Sequence, residues 1–137
     1  MPRGPPIPDH GAVTTAAQTA AHSAWLRLAR VPGISIDDAL ALLECLGGFE
    51  ALLAASTAEL ARAGVAGAGL VALARPDKAV LERDLRWLEI PGHCLLTADD
   101  PAYPPQLAAT AGAPVALFVE GEPSALTMPQ LAIVGSR

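Results

Sequence analysis

The chain has 137 residues, with nine Lys and Arg against fourteen Asp and Glu and a net charge of -5. At 52% hydrophobic and 17% charged residues it holds enough apolar material for a packed core, which excludes a wholly disordered chain, while aromatics at 4% leave that core to small and aliphatic side chains. The acidic balance also argues against a stand-alone nucleic-acid binder, because backbone binding depends on clustered Lys and Arg displacing counterions.

Residues 1 to about 20 carry Pro2, Pro5, Pro6 and Pro8 and no hydrophobic period, so a flexible tail is expected there. From His22 the pattern turns helical, with Trp25, Leu28 and Ala29 on one face and Pro32-Gly33 as the stop. Ser35 is placed to cap a second helix whose first turn holds Asp37 and Asp38. Its stripe Ala39, Leu42, Leu43, Leu46 follows i, i+3, i+4, i+7, and Ile36 and Leu40 are expected to widen the buried side. Gly47-Gly48 ends it.

Phe49, Leu52 and Leu53 mark a short third helix, and Ser56-x-x-Glu59 has the spacing of a capping box for a fourth. A further short helix is expected around Gly69 to Ala74. Pro76 then stands at the entrance of a helix with the seam Leu81, Leu85, Leu88, flanked by Val80 and Trp87. The charges Lys78, Glu82, Arg83, Asp84, Arg86 and Glu89 mix both signs, which predicts a solvated face rather than a DNA-binding stripe.

At Pro91-Gly92 the pattern changes. His93 to Thr97 and Val115 to Glu120 have strand length and composition, Ala98 to Pro101 has turn chemistry, and Leu131 to Val134 is a third strand candidate running into Gly135-Ser136-Arg137. No apolar run is long enough to span a membrane, and the basic N-terminus is followed by prolines rather than a signal-type apolar segment, so a cytoplasmic protein is expected. Cys45 and Cys94 lack ligand spacing and are both expected as buried, reduced thiols.

A strand entering a Gly-Ser turn is how many phosphate-binding βα units begin, since glycine lets the backbone approach an anion and the next helix aims free N–H groups at it. A strand this apolar fits a parallel sheet, which needs crossovers and further strands. The 137 residues are therefore expected to be the front part of a larger fold. By itself Gly-Ser-Arg is more simply read as a surface turn after a strand.

The ordered set Leu95-Leu96-Thr97, Asp99, Tyr103-Pro104, Leu107, Pro114-x-x-Leu117-Phe118-x-x-Gly121 and Ala132-Ile133-Val134-Gly135-Ser136-Arg137 closely resembles the DNA-processing protein A family, also called DprA or Smf. Trp25-Leu26-x-Leu28, Val31-Pro32-Gly33-Ile34 and Gly47-Gly48-Phe49-Glu50 are similar to its SAM-like N-terminal region, so the likeness covers about residues 22 to 137. After the flexible tail over 1–20 it implies an α+β chain: an all-α SAM-like, helix-hairpin-helix-like domain over 21–90, and over 91–137 the truncated start of an α/β Rossmann-like DNA-binding domain. It also implies a cytoplasmic, non-enzymatic protein of natural transformation that binds single-stranded DNA and helps load the RecA recombinase. A possible homodimer would form through regions beyond this chain.

In the family the Gly-Ser-Arg loop belongs to the phosphate-contacting pocket. The resemblance therefore assigns DNA phosphate binding to Gly135, Ser136 and Arg137, with Arg137 supplying a planar guanidinium. No catalytic group, metal or cofactor is expected. The isolated chain is expected to bind DNA weakly or not at all, because one terminal Arg cannot neutralise several phosphates.

Three other sites have plainer readings. Val31 to Ser35 looks like a helix-hairpin-helix turn, but Asp37 and Asp38 repel an anion there and favour a capping turn. Asp99-Asp100 before Pro101 are turn formers rather than a metal or acid–base pair. Tyr103 is expected to pack at the junction of the two parts rather than stack on a base. His10, His22 and His93 suggest no cluster. Two rival readings stand beside the leading one: a Rossmann-like enzyme of the nucleotide phosphoribohydrolase type, whose acidic glycine-rich motif would lie after Arg137, and a helical protein-interaction module.

Overall fold

In a computed structural model, which describes residues 15–135, the described part begins with a helix whose start the sequence pattern placed too late. Helix α1 spans Ala16–Leu28, so its first turn lies inside the segment expected as a tail. Its reason is a capping box: the Thr15 hydroxyl accepts the Gln18 N–H at 3.3 Å, and the Gln18 side-chain oxygen accepts the Thr15 N–H at 2.9 Å. The proline-rich part of the expected tail lies outside the described residues.

The following helices form where caps and stripes place them: α2 Ile36–Leu46, α3 Phe49–Ala54, α4 Thr57–Arg62, α5 Gly67–Ala74 and α6 Lys78–Leu88. Ser35 caps α2, accepting the Asp38 N–H at 3.0 Å. Gly47 ends α2 in the left-handed region at φ 98°, where a side chain would be strained. Ser56 and Glu59 close the capping box of α4. At α6 the cap is Asp77 rather than Pro76, its Oδ1 accepting the N–H groups of Ala79 and Val80.

Trp25, Leu26 and Leu28 of α1 are buried against Leu42, Leu43, Leu52, Leu60 and Leu73 from the next four helices. Each of these short helices is too short to be stable alone, so the shared apolar contact holds them. The Trp25 ring meets Phe49 at a centroid distance of 6.2 Å, while its indole N–H has no acceptor among the described residues, so it contributes through area and shape. Arg27, between these buried residues, turns its guanidinium to the carbonyls of Leu53 in α3 and Leu73 in α5. Burial pushes its pKa down.

Two departures concern the helical surface. Leu40 is exposed rather than widening the stripe, because it lies off the face that α2 turns to α3. Cys45, also expected to be buried, is exposed on the same helix, whereas Cys94 is buried in the sheet.

Strand β1, His93–Thr97, pairs antiparallel with β2, Ala116–Glu120, with Leu95 opposite Phe118. Among the described residues this two-stranded sheet joins the helices into the expected α+β arrangement, and Leu95 and Val115 enter the helical core. Trp87 of α6 seals the join: His93 stacks on it at 3.9 Å and Phe118 meets it edge-on at 5.4 Å. A short helix α7, Pro105–Ala108, lies between the strands, and a 3-10 turn, Pro123–Thr127, follows β2. Neither had been expected from the sequence.

The expected third strand is absent among the described residues. Leu131, Ile133 and Val134 are 87%, 90% and 91% exposed in irregular backbone. A strand requires a hydrogen-bonding neighbour, and β1 and β2 pair only with each other.

Candidate nucleic-acid interface

The family-like motif residues of the sheet region form a scaffold. Thr97 donates its hydroxyl to Asp99 Oδ1 at 2.6 Å, and Asp100 Oδ1 accepts the Ala102 N–H at 2.8 Å, so both acidic side chains fix the turn after β1. That turn delivers Tyr103 into the interior, where its hydroxyl donates to the Pro114 carbonyl at 2.5 Å. The bond ties Tyr103-Pro104 to the segment that becomes β2. Gly121, at φ 109°, donates its N–H to the Gly92 carbonyl at 2.8 Å and closes the other end of the strand pair. Tyr103 thus offers no stacking platform, and burial pushes its phenol pKa up.

From this frame the chain passes through the 3-10 turn to the exposed stretch that ends in Gly135, whose Cα faces open space. Of the three residues assigned to phosphate binding, Gly135 lies at the end of this stretch. Ser136 and Arg137 lie outside the described residues.

The helix-hairpin-helix-like turn is occupied by its own chain. The Ser35 hydroxyl donates to Asp38 Oδ2 at 2.7 Å, so the positive end of α2 already faces a carboxylate. Of the histidines, His10 lies outside the described residues, His93 Nδ1 lies 2.9 Å from the Trp87 carbonyl and Nε2 4.0 Å from Glu120, and burial pushes the His22 pKa down. Cys94 is a poor nucleophile, since burial, reinforced by Asp100 and Glu122, pushes its thiol up. Among the described residues no three His, Cys, Asp or Glu side chains are grouped to hold a metal, and no helix is long and apolar enough to cross a membrane.

One polar group escaped the sequence reading. Asp84 is 6% exposed rather than part of a solvated face, and Arg30 and Arg83 hold it at 2.5 and 3.2 Å. The signal lay in its spacing, since Asp84 takes the i+3 place in the Leu81, Leu85, Leu88 seam and must be buried with it. A buried carboxylate then requires a cation, which the turn after α1 supplies as Arg30.

Comparison with known proteins adds what this geometry leaves open. Residues 94–137 match the sequence model of the family described as DNA recombination-mediator protein A. Over 65 residues, 47% of the chain, the sequence is 57% identical to Protein Smf of Escherichia coli (strain K12). The match spans 17% of that protein's length. No solved structure matches the chain.

Proposed function

We propose, from the match of residues 94–137 to the DNA recombination-mediator protein A family, DprA/Smf, that the chain serves a cytoplasmic DNA-processing protein. In this reading the protein binds single-stranded DNA and helps load the RecA recombinase during natural transformation, without catalysis of its own. Gly135 and Ser136 would offer backbone and hydroxyl donors to a phosphate, and Arg137 a guanidinium.

The observation that carries the reading is the family match through Gly135-Ser136-Arg137. The structure is compatible with it, because the β1–β2 frame presents the stretch before Gly135 to solvent rather than burying it. The helical part contributes scaffold to this reading, since its own anion-type turn is filled by Asp38.

Fluorescence anisotropy with a labelled oligothymidylate tests it in two settings. The 137-residue chain, with its net charge of -5, binds weakly or not at all. In a full-length family protein carrying this segment, Arg137→Ala lowers affinity equally for different sequences, as a lost phosphate contact does. Unchanged affinity in that variant would remove the site assignment.

A further inference from the structure

Of the nine Lys and Arg in the chain, Arg3 and Arg137 lie outside the described residues, and three of the remaining seven surround one cavity. This cavity, about 210 Å3, lies between α1 and the α5–α6 connection, with Arg27, Arg30 and Arg75 at its edge. Leu26, Ala72, Val80 and Leu81 supply its aliphatic wall. Two carboxylates also line it, and both are engaged within the chain. Asp84 is held by Arg30 and Arg83, and Asp77 caps α6.

The cations are engaged unequally. Arg27 is committed to the Leu53 and Leu73 carbonyls. Arg30 is half-exposed and bonds Asp84 through one terminal nitrogen, which leaves further N–H donors of its guanidinium. The Arg75 side chain makes no hydrogen bond or ion pair among the described residues. In an acidic protein, this places unspent positive charge beside an aliphatic recess, a combination that complements a ligand both anionic and aliphatic.

We propose that this cavity is a docking site for a short acidic, leucine-type peptide segment of a partner protein. An aliphatic side chain enters against Leu26, Val80 and Leu81, and a neighbouring carboxylate meets Arg75 and the free face of Arg30. Charge alone would equally suit a phosphate. The wall decides between the two: none of the described residues lining the cavity is aromatic, so a nucleobase would find no stacking surface, whereas an aliphatic side chain finds matching apolar contact.

The test titrates the isotope-labelled 137-residue chain with an acetylated decapeptide of alternating aspartate and leucine, following backbone amide shifts by NMR. Shifts centred on Ala72, Val80 and Leu81, weakened by added salt, are expected. Arg75→Glu, at an exposed side chain outside the core, lowers affinity about tenfold. Ala72→Leu, which fills the recess from within, lowers it whether or not the charge is kept. Absence of shifts at these amides, or equal affinity in either folded variant, overturns the proposal. So does equal binding of a peptide with asparagine for aspartate, and so does an oligothymidylate that displaces the acidic peptide from the same amides.

Discussion

Trp25, Leu26 and Leu28 in α1 and Leu131, Ile133 and Val134 near the C-terminal end are equally apolar runs with opposite fates. Trp25 is 1% exposed and Val134 is 91% exposed. The helix needs no neighbour to satisfy its backbone, so its side chains are free to seek a common core with α2 to α5. A strand leaves every N–H and C=O dependent on a second strand, and here that condition is unmet for residues 131–134. Hydrophobicity therefore creates the demand for burial, while the hydrogen-bonding geometry of the element decides whether local sequence suffices to meet it.

The contrast is broken most severely at Trp25. Trp25→Ala removes the largest buried side chain of α1 and is expected to cost about 3–5 kcal/mol, read as a lower urea midpoint. An effect below about 1 kcal/mol would mean that the helical part does not depend on its shared core.

Tyr103 sharpens the comparison at the sheet. Tyr103→Phe keeps the ring and deletes the bond to the Pro114 carbonyl, at an expected cost of about 1 kcal/mol in the same measurement. It also carries a pH signature. Burial raises the native phenol pKa above its ordinary value of 10.0, so above that pH the unfolded chain releases a proton that the folded chain retains. The associated stability is fully present below pH 10 and is lost as pH rises through the native value. Tyr103→Phe abolishes that decline, while a decline from Cys94, which starts from an ordinary value of 9.0, remains.

The smallest effect is expected at Ile133. Ile133→Ser, at an exposed position, changes the stability of the 137-residue chain by less than about 0.5 kcal/mol. A larger loss in chemical denaturation would show that residues 131–134 pack in solution.

The same distinction explains what was legible in the sequence. Ser35, Gly47, Ser56 and Glu59 announce helix ends through bonds spanning a few residues, and the stripe at Ala39, Leu42 and Leu43 states its own buried face. The start of α1 was also local, but the Thr15–Gln18 box stands among alanines and threonines that carry no hydrophobic stripe to announce a helix. Leu40 and Cys45 misled because composition says that a residue is apolar without saying which way α2 faces. Asp84 with Arg30, and the gathering of Arg27, Arg30 and Arg75, join residues more than 40 positions apart, so they depended on how α1 crosses α6. For the candidate phosphate site, the sequence supplied Gly135, Ser136 and Arg137 through family likeness alone. The structure adds the exposed approach to Gly135.

Arg27 has one more consequence. Its single guanidinium closes the carbonyl ends of α3 and α5 from a third helix, so neither short helix can unravel at its C-terminal end without releasing a donor that also faces the other. Segments distant in sequence are thereby made to open together. Transient opening in this part of the molecule becomes a collective event, and three helical turns behave as one cooperative unit.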